Sequence, residues 1–261
     1  MDSTTQTLAI LIFLLTMVVS IVVTQFLRRR RAFITLRELP AYALLPLRIG
    51  EAIEASRPIH MSFGSSGLGG ENTLLTLAGA ELFYQVARRA AISPTAPIIT
   101  LSDPSTLAVA QDTLRRAYHA ANFPERFRAT SARWYPAGPR SLVFAAALTG
   151  MLGDDDVSAH VLVGSFGTEL ALIAGAAARR GQPVIAASDQ LQGQAVAFAM
   201  SESALIGEEI FAAGAYLGES NSQVASIFAL DVLRWLLILF ILVPTLLTVV
   251  SEITRRSASG G

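Results

Sequence analysis

Two stretches of this chain place histidine, serine and glycine at one spacing. The first is His60-Met-Ser-Phe-Gly64-Ser65-Ser66-Gly67, running on into Leu68-Gly69-Gly70; the second is His160-Val-Leu-Val-Gly164-Ser165-Phe166-Gly167. Each is a short apolar run that stops at small residues ahead of an alanine-rich stretch. That pattern predicts a strand, a tight turn and a helix start, where backbone N–H groups without partners gather and favour an anion. Glycine at 64, 67, 69, 70, 164 and 167 allows close backbone approach, and Ser65, Ser66 and Ser165 offer hydroxyls to an oxyanion or phosphate. The spacing fits neither the dinucleotide fingerprint G-x-G-x-x-G nor the nucleophile elbow G-x-S-x-G. A tight turn that packs helix on strand explains the same residues.

Ser102-Asp103 and Ser188-Asp189 follow apolar runs at equivalent places. Asp103, with Pro104 after it, reads first as a helix N-cap and second as a ligand or acid/base group. Asp189 lacks the following proline and is freer. Arg140, in Pro136-Ala-Gly-Pro-Arg140, follows a possible strand and suits either an anion or the surface. The candidate ligand-binding set is therefore Gly64, Ser65, Ser66, Gly67, Gly69, Gly70, Asp103, Arg140, Gly164, Ser165, Gly167 and Asp189. His60 and His160 lie four residues before their glycines and read as core side chains, with His119 exposed near a helix end. Three scattered histidines without carboxylates at ligand spacing give no metal site. Glu208 and Glu209 read as first-turn acids favoured by a helix dipole. No catalytic residue is assigned and no cofactor is named.

The composition removes whole reaction classes. There is no Cys, which excludes thiolate catalysis, disulfides and Cys-ligated metals. All twenty basic residues are Arg, which removes a Walker lysine, a Schiff base and a lysine general base. Net charge is zero, so no nucleic-acid partner is expected. Hydrophobic residues make up 52% against 15% charged, and mean hydropathy is +0.50, on the membrane side of the soluble average.

The elements that must hold these residues follow from periodicity. Strands are expected at Ile59–Phe63, Pro97–Leu101, Arg133–Pro136, His160–Val163 and Pro183–Ala187. Helices are expected at Glu71–Ala91, Asp103–Ala117, Pro139–Leu152, Glu169–Arg180, Gln192–Met200 and Glu208–Leu217, and Asp154–Asp156 reads as a solvated acidic turn. Apolar strands separated by helices indicate a parallel sheet covered on both faces. The halves share an order beyond the opening motif: Ala78-Gly-Ala, Ala87-Arg-Arg, Pro97-Ile and Ser102-Asp match Ala174-Gly-Ala, Ala178-Arg-Arg, Pro183-Val and Ser188-Asp. Gaps differ by about one helical turn. Alanine-rich helices produce such matches by chance; if the repeat is real, two βαβ units face each other and their glycine loops flank one crevice at the strand ends. The expected fold is thus α/β, a Rossmann-like three-layer parallel sheet domain of two pseudo-repeated βαβ units, flanked by two transmembrane helices.

Those two helices are read from residues 7–27, which carry no charge, and from the apolar stretch Ile227–Val250 containing Pro244. Arg28–Arg31 then place residues 28–226 in the cytoplasm and both termini outside, with Arg255 and Arg256 opposing. The expected organisation is an anchor over 1–31, an amphipathic linker over 32–56, a cytoplasmic domain over 57–222 and a second span over 227–252. Pro40 and Pro46 are expected to forbid one unbroken helix in the linker, which either rests on the membrane or packs on the domain.

The combination Pro58-Ile-His-x-Ser-x-Gly-Ser-Ser-Gly-Leu-Gly-Gly, Thr100-Leu-Ser-Asp-Pro, Val163-Gly-Ser-Phe-Gly-Thr-Glu-Leu and Ser188-Asp-Gln-Leu-Gln-Gly-Gln-Ala-Val-Ala-Phe resembles an uncharacterised bacterial family of membrane-anchored proteins. Its members carry a domain of unknown function, here about residues 50–220, and the resemblance implies no activity or site residues. A weaker similarity, through a Gly-Ser turn and Leu-Ser-Asp-Pro-Ser-Thr, is to sugar-isomerase-type phosphosugar-binding domains. The expected function is a two-pass membrane protein whose domain binds a small anionic ligand or acts as an oligomerising scaffold, not obviously catalytic. The alternatives are an accessory subunit of a larger membrane complex and an enzyme on a phosphorylated or membrane-associated substrate. Expected partners are the lipid bilayer and either further copies of the chain or a membrane complex.

Overall fold

A computed structural model describes residues 3–30, 37–218, 224, 227–228, 230–242 and 244–246. The chain divides into two compact units, residues 1–36 with 220–261, and Arg37–Glu219. The second unit holds every candidate site residue.

Its centre is a six-stranded parallel sheet. The strands are β1 (Ile59–Gly64), β2 (Ile98–Leu101), β3 (Ala132–Trp134), β4 (Ala159–Ser165), β5 (Val184–Ser188) and β6 (Ser203–Leu205). They lie in the order β3-β2-β1-β4-β5-β6, all neighbours parallel. The chain moves outward from β1 in its first half, then returns to the middle and moves outward the other way from β4. The order therefore reverses between β1 and β4, and the glycine loops of both halves lie at that switch point. β1, β2, β4 and β5 are buried along their whole length, which is why they read as unbroken apolar runs.

The crossovers are α3 (Thr73–Ala90) between β1 and β2, α4 (Leu107–Ala120) between β2 and β3, α5 (Leu142–Asp154) between β3 and β4, α6 (Leu170–Arg179) between β4 and β5, and α7 (Leu191–Met200) between β5 and β6. α8 (Ala213–Leu217) follows β6. One core packs α5 and α6 on the sheet through Phe144, Leu148, Leu162, Phe166, Leu170 and Ile173. The sixth strand, Ser203–Leu205, is an addition to the expected set.

The stretch read as a linker contains α2 (Pro40–Glu54), which buries Tyr42, Leu45 and Ile49 within this unit. α2 runs unbroken through Pro46, against expectation. Pro40 occupies the first turn, where a missing N–H costs nothing, and Pro46 sits at an exposed position of the helix, leaving the Tyr42 carbonyl without its i→i−4 donor. The acidic turn is not simply solvated: Asp155 pairs with Arg133 and Asp156 with Arg57.

The expected membrane spans are overturned. Among the described residues no helix is long and apolar enough to cross a membrane. α1 (Ser3–Arg30) carries Thr16, Ser20 and Gln25 within its apolar run. The two-pass topology and the membrane location fall with the spans, as does the cytoplasmic placement inferred from them. The side chains of Arg28, Arg29 and Arg30, and residues Arg31, Arg255 and Arg256, lie outside the described residues, as do 32–36 of the linker.

Candidate functional site

The two glycine loops are fastened to each other. Ser65 donates to the Ser165 carbonyl through both its backbone N–H and its Oγ, each at 2.9 Å. In return the Ser165 N–H donates to Ser66 Oγ at 2.7 Å. Ser66 is fully buried, and its carbonyl accepts from Thr106 Oγ1 at 2.6 Å. Ser165 Oγ accepts from Gln190 Nε2 at 2.9 Å. The hydroxyls of Ser65 and Ser66 therefore form the clasp between the halves, and that of Ser165 is held by Gln190 in its own half.

Two glycines make the clasp possible. At Gly164 a Cβ would stand 1.9 Å from the Phe63 carbonyl oxygen, and at Gly64, whose φ is +58°, one would stand 2.4 Å from the Ser165 carbonyl oxygen. Their role is contact between β1 and β4, and no side chain fits there.

Beyond the clasp the loops differ. In the β4 loop, Gly167 N–H donates to Glu169 Oε1 at 2.8 Å, and Glu169 is buried at the first turn of α6. A carboxylate of the chain itself thus occupies the positive end of that helix. Phe166 N–H is taken by Ser188 Oγ at 3.2 Å. In the β1 loop, Leu68, Gly69, Gly70 and Glu71 are exposed. Leu68 N–H donates to Ser105 Oγ and Gly69 N–H to Thr73 Oγ1, each at 2.9 Å. The N–H groups of Gly70, Glu71 and Asn72 donate to nothing among the described residues, and Asn72 at the N-cap of α3 makes no capping hydrogen bond through its side chain. The two starts differ in that a carboxylate is hydrogen-bonded into the β4 loop and none into the β1 loop; the N–H groups of Thr168 and Glu169 likewise donate to nothing among the described residues.

Asp103 caps the turn Pro104–Thr106 by accepting from Ser105 N–H at 2.8 Å. Its other oxygen faces the loop: a Cβ on Gly67 would meet Asp103 Oδ2 at 2.5 Å. Beside it Trp134, half-exposed, donates from Nε1 to the Ser102 carbonyl at 2.9 Å, which fixes an indole ring near the strand ends. Arg140 is exposed in a left-handed turn before α5, at φ +50°. Asp189 is exposed just past β5. The structure thus brings Gly64, Ser65, Ser66, Gly67, Gly164 and Ser165 together at the clasp, with Asp103 against Gly67. Sequence reading passed over Trp134 and Glu169. A carboxylate directly ahead of the alanine-rich helix, in Gly-Thr-Glu-Leu, was a usable signal for the latter.

Below the clasp lies a buried polar chain. His60 and His160 are register partners on β1 and β4, and their Nδ1 atoms are 3.0 Å apart. His60 Nε2 is 2.8 Å from Thr100 Oγ1 and His160 Nε2 is 3.1 Å from Gln182 Oε1. Gln182 donates from Nε2 to the Val157 carbonyl at 2.8 Å, so its Oε1 can only accept from His160. His160 therefore carries its proton on Nε2 and accepts at Nδ1. His60 must then donate from Nδ1 and accept from Thr100 at Nε2. Every member is satisfied only while both rings are neutral. Burial holds the His60 pKa well below its ordinary value, with the neighbouring His160 and Arg133 adding to the effect. Burial lowers His160 to about 4, against the opposing hydrogen bond to Gln182. Both rings are fully enclosed, and the chain is a structural element of the sheet.

Among the described residues no group of three or more His, Asp and Glu is placed to hold a metal. Residues 2–258 match a family described as a domain of unknown function, DUF6754, and the chain belongs to that family. No curated protein and no solved structure matches the chain.

Proposed function

We propose that the α/β unit binds a small phosphorylated ligand bearing hydroxyls, of the sugar-phosphate or nucleoside-phosphate class, at the open loop Gly67–Asn72. The observation that carries this reading is the asymmetry of the two switch-point loops. In the β4 loop the Glu169 carboxylate accepts from Gly167 N–H, whereas among the described residues no carboxylate accepts from an N–H of the β1 loop, where Gly70, Glu71 and Asn72 are unpaired at the start of α3. Phosphate favours such a helix end. Asp103 beside Gly67 repels a bare anion but accepts from a hydroxyl, the part an acid after the second strand plays in nucleotide-binding sheets of this order. Trp134 offers a flat apolar surface to a base or sugar face. The reading is of binding, since Ser65, Ser66 and Ser165 already hold the clasp.

The test is a thermal-shift titration of the full chain with inorganic phosphate, ribose 5-phosphate and adenosine 5′-monophosphate. A ligand at a hundredfold excess over its Kd raises stability by about 2.7 kcal/mol. Ribose 5-phosphate or the nucleotide is expected to shift Tm at lower concentration than phosphate. The variant Asn72→Asp gives α3 the carboxylate that α6 already has. It is expected to raise the ligand-free stability by about 0.5–1 kcal/mol through the helix dipole while abolishing the ligand shift. Retention of the full shift in Asn72→Asp would place the ligand elsewhere.

A further inference from the structure

Among the described residues Glu169 is the one buried Asp or Glu, at 6% exposure, and it pairs with no cation. Asp112, Asp155 and Glu202, by contrast, each pair with an Arg. A carboxylate is almost never buried unless paired, because taking its charge out of water is costly. The loops after β4 and β5 cannot supply the partner. They come from a part of the chain that has no Arg from 141 to 178 or from 181 to 233, and Lys is absent altogether.

Holding its own loop occupies only one oxygen of Glu169. Oε1 accepts from Gly167 N–H at 2.8 Å, and Oε2 accepts from nothing among the described residues. The dipole of α6 sets only about half a positive charge against the carboxylate. Oε2 lies toward Gly167: a Cβ there would stand 2.8 Å from Glu169 Oε2 and 3.1 Å from Gln190 Oε1. Gln190 is oriented by its Nε2, which donates to Ser165 Oγ at 2.9 Å, and its Oε1 also accepts from nothing among the described residues. Two acceptor oxygens, one from each loop, thus face one point beside a glycine. Thr168, Asp189 and Gln190 are exposed, which leaves that point accessible from water, and Asp189 adds a second negative charge at the same strand ends.

We infer that Glu169 Oε2 and Gln190 Oε1 receive a small primary amine in its ammonium form. An –NH3⁺ group has three donors and no acceptor, the complement of two free acceptors and an unpaired negative charge. A metal ion suits the place less, since no group of three or more His, Asp and Glu stands together among the described residues. The inference is independent of the phosphate reading, because it concerns the β4 and β5 loops alone.

The test follows ¹⁵N amide shifts of the full chain during titration with ethylamine hydrochloride at neutral pH. Tetramethylammonium chloride and potassium chloride are run beside it at matched concentration. A ligand this small binds no tighter than about 1 mM. Saturable movement of Gly167 and Gln190 is expected with ethylamine alone, since tetramethylammonium has the charge without an N–H and potassium has it as a metal ion. Glu169→Gln keeps an acceptor for Gly167 N–H but loses the charge, and is expected to weaken ethylamine at least about tenfold, the effect of one charge-assisted hydrogen bond. Gly167→Ala, whose Cβ meets only the movable ends of Glu169 and Gln190, is expected to fold and to lose the response. Equal shifts with tetramethylammonium or potassium would overturn the proposal. So would undiminished affinity in a folded Glu169→Gln, or no saturable shift in the parent chain at concentrations well above that limit.

Discussion

Gly164→Ala is expected to be the most damaging single-atom change in the α/β unit. The new Cβ would lie 1.9 Å from the Phe63 carbonyl oxygen and 2.4 Å from its carbon. Both are backbone atoms of the central strand β1, so no side-chain rotation relieves the clash. The β1–β4 ladder must open at the point where the clasp holds the two halves. Overpacking costs about 1–3 kcal/mol where neighbours can yield, and here they cannot, so about 3 kcal/mol or more is expected. For a unit of this size that lowers Tm by roughly 6–12 °C. Gly150→Ala is the control: the position is helical and nothing lies within 4 Å of its added carbon. It is expected to raise stability by up to about 1 kcal/mol. Urea unfolding followed by circular dichroism separates the two. Wild-type stability in Gly164→Ala would mean that the strands are not packed at this distance.

The second large effect is acid lability. His160 titrates at about 4 in the folded chain against 6.5 as the ordinary value. Its folded pKa is lowered, so the unfolded chain binds the proton first as pH falls. Stability is fully present above about pH 6.5, is lost progressively between 6.5 and 4, and levels off below. The loss from His160 is about 3 kcal/mol at about 1.36 kcal/mol per pKa unit. His60 is lowered in the same direction and adds to the loss. Structurally, a proton on His160 Nδ1 would oppose the one on His60 Nδ1 at 3.0 Å, with no acceptor between them. Urea midpoints at about pH 7.5 and about pH 4.5, either side of most of this window, measure the drop. Thr100→Val removes the donor to His60 Nε2 and is expected to lower stability at the higher pH by about 1–3 kcal/mol, the cost of an unsatisfied buried acceptor. A flat profile between the two pH values would contradict the neutral, fully buried pair.

Much of this arrangement was legible in the sequence, for identifiable reasons. The parallel strands at Ile59 and His160 are buried on both faces and therefore read as apolar runs ended by glycine. The repeat of His60 and Gly64 at His160 and Gly164, if real, set two units loop to loop, and the structure pairs His60 with His160 while a register shift sets Gly64 against Ser165. The residues around the loops could not be assigned the same way. Ser66 and Ser165 are far apart in the chain, and no local signal says that a hydroxyl will serve the opposite loop before a ligand. β6 escaped because Ser203-Ala-Leu is too short to show a period. α2 was hidden behind Pro46, whose cost depends on its exposure, and exposure is a tertiary property. The apolar stretches near both termini were long enough by residue count alone, but no described helix meets the requirement for a membrane span.

The proposed ligand occupies the β1 loop and not the β4 loop, where Glu169 already stands. Amide chemical shifts of the ¹⁵N-labelled full chain, titrated with ribose 5-phosphate, read both loops at once. Saturable shifts are expected at Gly69, Gly70, Glu71 and Asn72, with Gly167 and Thr168 unmoved. Shifts confined to Gly167 and Thr168, or no shift in either loop at millimolar ligand, would contradict it.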